Sequence, residues 1–282
     1  EALKSVYRGT QTDGSQQHDY NWVDTAGFQS GAFTATPSDD GGHGSHVAGT
    51  IAGSTTTQKI GVAPGAKVIG AKMVFEDSIA STISALDGLQ FMLAPTKTDG
   101  TSPNPAKGVD VINNSWGAGE WESRETQGAF DSLKAAGILL VNSAGNEGPG
   151  AGTVSAPGAY PGHLSIAASD ARDGVARFSS RGPSTFGGAV GDTPNISAPG
   201  VRINSVRAGG GYTQMDGTSM AAPHVTGAVA LMLQANPQAS YDEIRDALQS
   251  TATDIADPGV DFTAGHGRIN VDKAVEALTA AQ

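Results

Sequence analysis

Beyond residue 65, apolar residues form short runs that alternate with longer segments in which Ile, Leu and Met recur at helical spacing. The short runs predict strands, and the longer segments predict helices. Strands are predicted at 66–75, 109–112, 138–141, 163–168, 201–206 and 212–215, and helices at 78–93, 126–136, 241–251 and 271–280. This alternation is typical of a parallel sheet with helices on both faces. We therefore expect an α/β fold of three layers, αβα, around a mostly parallel central sheet.

The first 40 residues are polar and contain no run that resembles a buried strand, so we expect them to wrap over the surface. A Gly-rich turn follows at 42–53 and leads into a short helix of small residues. Small side chains permit close packing of this helix, and His43 lies at its entrance.

The segment 217–233 begins with a Gly-Thr-Ser turn and continues with Ala, Val, Leu or Met at nearly every position. This pattern predicts a helix buried on most sides, with Ser219 at its start and Pro223 in its first turn. The unpaired N–H groups and positive dipole end of such a helix favour negative charge nearby. Ser219 therefore has two interpretations, as a nucleophile or as an ordinary N-cap serine.

Composition excludes several classes of protein. The 17 Lys and Arg residues are dispersed and outnumbered by 28 Asp and Glu, for a net charge of −11, so no nucleic-acid partner is expected. The absence of Cys excludes disulfide scaffolds, thiol nucleophiles and Cys-rich zinc sites. No apolar run reaches the ~18 residues of a membrane span, so no membrane partner is expected. No linker or repeat is visible, which predicts a single domain over 1–282.

The residues around His43 suggest two other sites, and both fit poorly. The glycines at 42, 44 and 49 imitate a dinucleotide-binding loop, but no strand precedes them and their spacing is wrong. His43 and His46 are spaced like metal ligands, but no carboxylate lies between them and no Cys is available. We interpret His46 and His224 as structural histidines.

Three polar residues have the identities that acyl transfer requires: a histidine on a Gly-flanked turn, an asparagine on a loop after a strand and a serine at a helix start. They are His43, Asn146 and Ser219. Together they supply a general base, an amide donor and a nucleophile. In parallel sheets, functional residues gather in loops beyond the carboxyl ends of strands, where Asn146 is predicted to lie.

The segments 42–50, 143–148 and 217–227 resemble the three signature motifs of the subtilisin-like serine proteases, in the order of that family. Further similarities are found at 111–117, 178–183 and 196–200, so the resemblance covers roughly 40–280. The stretch His-Asp-Tyr-Asn-Trp at 18–22 is similar to the bacillopeptidase F-like branch of the family.

The resemblance implies a secreted serine endopeptidase that needs no cofactor for catalysis. Ser219 would attack the scissile carbonyl, His43 would carry its proton, and the Asn146 amide and the Ser219 N–H would hold the oxyanion. The alternative is a catalytically impaired domain that binds a peptide or a partner.

The resemblance also implies a substrate site for extended polypeptides, with broad specificity because main-chain pairing reads shape more than sequence. Ser115, Trp116 and Gly117 would pair with the substrate as an added strand. The primary pocket would lie between Trp116-Gly117 and Ala144-Gly145. Glu147 at its rim either favours basic side chains or is a solvated surface carboxylate.

The family triad also contains an Asp at the end of a first buried strand, in a Val-Ile-Asp-Ser/Thr-Gly context. Asp24 imitates this motif, but its upstream residues are polar and it lies only 19 residues before His43. Asp39 and Asp40 suit a turn better. Residues 1–9 resemble the segment after the Asp motif, so we expect the first strand and its Asp upstream of Glu1. An excised segment of this kind, or a propeptide, would then be a partner.

Structural calcium is possible in this family, but the loop 54–60 is short and contains neither carboxylates nor Asn. Calcium requires several oxygen ligands. We therefore expect the usual tight calcium loop to be absent and identify no clear metal site.

Overall fold

The computed structural model describes residues 1–30, 33–73, 79–117, 124–184, 186 and 192–280. The chain forms two compact units. The first contains Glu1–Asp110, Ser123–Ile138 and Val206–Gly211, and the second contains Val111–Glu122, Leu139–Ser205 and Tyr212–Gln282. The single domain expected from the sequence stays a prediction.

The first unit contains a parallel strand pair and four α-helices within its described residues. Its elements are β1 (Trp22–Asp24), α1 (Thr25–Ser30), α2 (His43–Ala52), β2 (Gly70–Lys72), α3 (Ile79–Leu93), a 3-10 turn (Pro105–Lys107) and α4 (Arg124–Ala135). Strand β1 pairs in parallel with β2, so that Asp24 lies opposite Lys72. The strand predicted at 66–75 is confirmed at its centre, and its residues 74–75 lie outside the described part of the chain.

Strand β1 contradicts the expectation that the first 40 residues contain no buried strand. Its three residues are all buried, with Trp22 8% exposed and Val23 and Asp24 each 3% exposed. The Trp22 ring packs against Gly70, where a Cβ would lie 3.1 Å from two ring carbons. The Trp22 Nε1–H also donates to the Thr34 carbonyl at 3.0 Å. A strand of three residues is too short to show periodicity, so only its tertiary contacts reveal it.

The second unit contains a four-stranded parallel sheet and three helices within its described residues. Its elements are β3 (Val111–Asn114), β4 (Leu139–Ser143), β5 (Leu164–Ser169), β6 (Ile196–Pro199), β7 (Ile203–Val206), β8 (Tyr212–Met215), α5 (Thr218–Ala235), α6 (Tyr241–Ser250) and α7 (Val271–Ala280). The last residue of β7, Val206, is counted with the first unit. The sheet order is β3-β4-β5-β6, and β7 pairs with β8. Strand β6 is not predicted by the apolar pattern, because Ser and Pro interrupt it. The predicted α/β class with a mostly parallel sheet is confirmed.

Helix α5 is the buried helix that the sequence predicts, and it packs on one face of the four-stranded sheet. Val141, Ile166 and Ile196 of the sheet and Val225 and Val229 of the helix are each 0% exposed and belong to one cluster. Burying side chains of this size stabilises the fold by about 1.5–3 kcal/mol each. The start of α5 is therefore held rigidly by the core behind it.

The opposite face of the sheet carries buried polar side chains near the carboxyl ends of β3 and β4. Asn114 Nδ2–H donates to Asn142 Oδ1 at 3.0 Å, and Asn142 Nδ2–H donates to the Leu164 carbonyl at 3.0 Å. Buried amides that satisfy one another in this way hold neighbouring strands in one register. They fix the points from which the loops carrying Ser115 and Asn146 depart.

Candidate catalytic site

Ser219 is the second residue of α5 and is half-buried. Gly217 precedes the helix with φ 152° and ψ 157°, a conformation almost reserved for glycine, and allows the chain to turn directly into α5. Gly217 is itself the N-cap and forms no side-chain cap bond. The interpretation of Ser219 as an N-cap serine is therefore wrong, because the helix starts one residue earlier.

Asn146 caps α5 from a different loop. The Thr218 backbone N–H donates to Asn146 Oδ1 at 2.9 Å, and the Thr218 hydroxyl donates to the same oxygen at 3.0 Å. Because the oxygen accepts both bonds, the NH₂ end of the amide is identified and faces away from Thr218. The Met220 N–H donates to the Gly217 carbonyl at 3.0 Å. The Ser219 N–H between them is the first-turn donor that none of these bonds uses.

Two hydrogen bonds join Ser219 and Ser115. The Ser219 hydroxyl donates to the Ser115 carbonyl at 3.2 Å, and the Ser115 hydroxyl donates to the Ser219 carbonyl at 2.8 Å. Pro223 lies inside α5 and not in its first turn, so the sequence prediction for this residue is wrong. The prediction placed the helix start too late, because the polar Thr218 and Ser219 interrupt the apolar pattern.

The residues of the predicted substrate pocket surround Gly145. Gly145 has φ +107°, and a Cβ there would collide with Glu147 Oε2 and lie 2.8 Å from both Ser155 Oγ and Ser180 Oγ. Glu147 is held in place, because its Oε2 accepts from the Ser180 hydroxyl at 2.9 Å. A Cβ on Gly117 would lie 3.1 Å from Ser155 Oγ. Both glycines thus lie close to the Ser155 hydroxyl.

Sequence reasoning missed Ser155 and Ser180. Ser180 lies within the motif at 178–183, whose similarity to the family could have drawn attention to it. Ser155 follows a Gly-rich stretch and has no comparable signal. The remaining residues predicted for the pocket lie nearby in the chain: Ala144 is fully buried, and Trp116 Nε1–H donates to Asn114 Oδ1 at 3.1 Å.

His43 is the first residue of α2, in the first unit, and Gly42 precedes it with φ 78°. Asp39 caps this helix: Oδ1 accepts from the Gly42 N–H at 2.8 Å and Oδ2 accepts from the Ser45 N–H at 2.7 Å. Burial lowers the pKa of His43 below its usual value, although the negative charge of Asp39 acts to raise it. A neutral imidazole at neutral pH is what a general base requires.

The two histidines interpreted as structural lie inside helices. His46 is fully buried in α2, and His224 Nδ1 is 2.8 Å from the Met220 carbonyl within α5. His46 is thus enclosed by the protein, whereas His224 is half-buried and bonds to the carbonyl one turn earlier in its own helix.

The carboxylate of Asp24 accepts hydrogen bonds from residues that follow it closely in the chain. Its Oδ1 accepts from the Gly27 N–H at 2.8 Å, and its Oδ2 accepts from the Thr34 N–H and hydroxyl, each at 2.9 Å. Burial raises the pKa of Asp24, but the hydrogen bonds from Thr34 and Gly27 and the charge of Lys72 outweigh burial and lower it. Asp40 forms an ion pair with Lys72 at 2.6 Å. The hydrogen bonds and ion pairs that the described structure gives to Asp24, Asp39 and Asp40 do not include His43, although the charge of Asp39 acts on the pKa of that histidine.

The loop 54–60 does not fit a calcium ion. Ser54 and Lys59 form an antiparallel bridge, and the Thr55 hydroxyl oxygen accepts from the Gln58 N–H at 2.9 Å. These oxygens serve the turn itself, and the loop has no carboxylate to complete the six to eight oxygen ligands of calcium. Over the described residues, no group of three or more His, Cys, Asp or Glu is arranged to hold a metal ion.

Among the helices that the structure describes, none combines the length and the apolarity needed to cross a membrane.

Comparisons with known proteins agree with the motifs. The sequence model of the subtilase family (Peptidase_S8) matches residues 3–267. Bacillopeptidase F of Bacillus subtilis (strain 168) is 39% identical over 293 residues, which cover 99% of this chain and 20% of that protein. Subtilisin DY of Bacillus licheniformis is 37% identical over 261 residues, covering 92% of this chain and 85% of that protein. The chain thus spans about a fifth of the first relative and most of the second.

Solved structures confirm a subtilisin-like fold. A protease from Pseudoalteromonas arctica PAMC 21717 superposes with a TM-score of 0.70 at 30% identity, covering 84% of this chain and 70% of that chain. The prenylagaramide maturation protease PagA superposes with a TM-score of 0.71 at 25% identity, covering 87% of this chain and 86% of that chain. The chain therefore belongs to the subtilase family of serine endopeptidases.

Proposed function

We propose that this chain catalyses peptide-bond hydrolysis with Ser219 as nucleophile, His43 as general base, and the Asn146 amide and Ser219 N–H as oxyanion donors. The observation that carries the proposal is the start of α5. There Asn146 uses its oxygen to cap the helix that begins beside Ser219, and the hydrogen bonds described above for this helix start use neither the Asn146 NH₂ group nor the Ser219 N–H.

The proposed reaction begins at Ser219. Ser219 Oγ attacks the carbonyl carbon, His43 accepts its proton, and the two N–H donors stabilise the negative oxygen that develops. Collapse of the tetrahedral intermediate breaks the C–N bond, and His43 returns the proton to the leaving amine. Water then enters, gives a proton to His43 and hydrolyses the acyl-enzyme, and Ser219 regains its proton.

The carboxylate that orients His43 belongs, in this proposal, to a residue outside these 282. Two observations support it. Asp24, Asp39 and Asp40 each bond to local partners. In addition, no strand among the described residues pairs with β2 on the edge away from β1, or with β3 on the edge away from β4. Such free edges of parallel strands accept an added strand.

A strand peptide tests the origin of the carboxylate. Adding a peptide that contains Val-Ile-Asp-Thr-Gly is expected to raise the activity of the chain, whereas the same peptide with Asn for Asp is not. Loss of activity on Asp24→Asn, with no effect of either peptide, would show that Asp24 completes the triad.

The substrate is an extended polypeptide, as the protease relatives suggest, and Ser115, Trp116 and Gly117 continue from β3 as the strand that pairs with it. The oxygens of Glu147, Ser155 and Ser180 around Gly145 support a preference for a basic side chain in the primary pocket, added to broad specificity elsewhere. Secretion and the action of a propeptide belong to the same proposal. The alternative of an impaired peptide-binding domain is not favoured, because the matched relatives are proteases.

A fluorophosphonate that labels activated serines tests the proposal directly. The intact mass of the protein is expected to rise by one adduct, and peptide mapping is expected to place it on Ser219. Ser219→Ala is expected to remove the adduct, and Ser132→Ala, which changes an exposed serine of α4, is expected to leave it. An unlabelled Ser219 in the unaltered protein supplied with the Val-Ile-Asp-Thr-Gly peptide contradicts the proposed function.

A further inference from the structure

Pro223 leaves the carbonyl of Ser219 without its helical donor. In an α-helix the N–H of each residue bonds the carbonyl four residues earlier, and proline has no N–H. Pro223 lies inside α5, four residues after Ser219. The peptide group attached to the nucleophile's own Cα is therefore the one that the helix does not hold.

The hydroxyl of Ser115 takes the place of that donor. It donates to the Ser219 carbonyl at 2.8 Å, and it accepts from Asn113 Nδ2–H at 2.8 Å. Asn113 is oriented in turn by Thr226, whose hydroxyl donates to Asn113 Oδ1 at 2.9 Å. Because the Asn113 amide donates to Ser115 Oγ, the single hydroxyl hydrogen of Ser115 is directed at Ser219.

This relay starts and ends on α5 and passes through the end of β3. Ser115 is 8% exposed and Thr226 is 2% exposed, so water competes little for these bonds. Hydrogen bonds in such surroundings are stronger than on the surface, and their members depend on one another. The side chain of Ser115 thus bonds to the nucleophile's carbonyl, in addition to the bond that the Ser115 carbonyl accepts from Ser219 Oγ.

We propose that Ser115 is a positioning residue for Ser219, and that Thr226 and Asn113 fix the direction in which the Ser115 hydroxyl donates. The hydroxyl restores the hydrogen bond that Pro223 removes and keeps the Ser219 backbone at the orientation that aims Oγ at the substrate. The carbonyl of Ser115 accepts from Ser219 Oγ at 3.2 Å, so one residue holds both ends of the nucleophile. This inference rests on the proposed function, because it assigns a supporting role around the same nucleophile.

The test compares Ser115→Ala in two backgrounds. With Pro223 present, Ser115→Ala is expected to lower kcat and the rate of fluorophosphonate labelling by about 5- to 20-fold, the effect of one buried hydrogen bond, with KM within about twofold. In Pro223→Ala, the new N–H of residue 223 bonds the Ser219 carbonyl, so the same change is expected to cost at most about twofold. Ser115→Thr, which keeps the hydroxyl, is expected to recover most of the rate.

Thr226→Val is the second variant, because it removes the far end of the relay without touching Ser115. It is expected to lower the labelling rate by about 2- to 5-fold, and Ser132→Ala serves as the unaffected control. An equal loss for Ser115→Ala in both backgrounds, or a lowered Tm with an unchanged labelling rate, overturns the inference. If Ser219 is not labelled in the unaltered protein supplied with the Val-Ile-Asp-Thr-Gly peptide, the proposed function itself fails, and this outcome is distinct from labelling at unchanged rates.

Discussion

Helices α2 and α5 both begin after a glycine, and their first N–H groups are capped by side chains from different parts of the chain. Both helices follow a glycine in a conformation that other residues avoid, with φ 78° at Gly42 and φ 152° at Gly217. Neither glycine can cap its helix with a side chain. At α2 the cap is Asp39, four residues before His43, whereas at α5 the cap is Asn146, 72 residues before Thr218.

The difference between the two caps matches the chemistry proposed for each helix. Asp39 is charged, so it stabilises the helix start and also favours the protonated form of His43. Asn146 is neutral and has two different ends, so its oxygen caps the helix while its NH₂ group stays available for the oxyanion role that we propose. The proposed base, His43, is thus influenced by a charge four residues away, whereas the proposed oxyanion donor, Asn146, comes from a loop 72 residues before α5.

The largest loss of activity is expected when the reactive side chain at either helix start is removed. In the chain supplied with the Val-Ile-Asp-Thr-Gly peptide that completes the triad, Ser219→Ala and His43→Ala are each expected to lower kcat by about 10⁶-fold, the loss established for the nucleophile or base of subtilisin, because the two groups act as one unit. The double variant is expected to be no worse than either single one. Hydrolysis of a peptide p-nitroanilide checks this, and substantial turnover in either single variant would remove that residue from the mechanism.

Asn146 offers a way to separate its two ends. Asn146→Leu is expected to lower kcat by about 10²–10³-fold, the loss known for one oxyanion donor of subtilisin, with KM nearly unchanged. Asn146→Asp keeps an oxygen for the Thr218 N–H but loses the NH₂ group. It is therefore expected to retain Tm while losing turnover. A rise in KM alone would instead make Asn146 a substrate-binding residue.

Glu147 follows Asn146, the residue that caps α5, and is a candidate for the recognition of basic substrate side chains. Glu147→Gln is expected to lower kcat/KM by about twofold to fivefold for substrates with Lys before the scissile bond, because an exposed charge pair contributes little. Substrates with Leu at that position are the internal control. Equal changes for both substrates would leave Glu147 as a surface carboxylate.

The smallest effect concerns the cap of α2. The Asp39 charge raises the pKa of His43, so Asp39→Asn is expected to lower this pKa further and move the acid limb of kcat/KM to lower pH. The sign follows because a base with a lower pKa stays neutral to lower pH. Asp40→Asn is the matched control, since Asp40 pairs with Lys72. A shift to higher pH in Asp39→Asn would contradict the role of this charge.

The amino-acid sequence by itself determined the class of fold and the chemical identities at the site. Except for β6, which Ser and Pro interrupt, the alternation of apolar runs after residue 65 predicts the strands and helices observed there, because each of these elements is long enough to show its period. The continuous apolar segment after Ser219 predicts a buried α5 for the same reason. His43, Asn146 and Ser219 are recognisable because glycines flank them at the ends of predicted elements.

Only the tertiary structure decided how these residues are held. Strand β1 has three residues and no readable period, and its burial depends on the Trp22 ring lying against Gly70. The bond from Thr218 to Asn146 spans 72 residues, and the bond from Ser115 to Ser219 spans 104. Such bonds depend on the register of neighbouring strands and on where a helix begins, which local residue patterns do not specify. For the same reason the sequence placed Pro223 incorrectly. The observed α5 begins earlier than predicted, so Pro223 lies in the interior of the helix and not in its first turn.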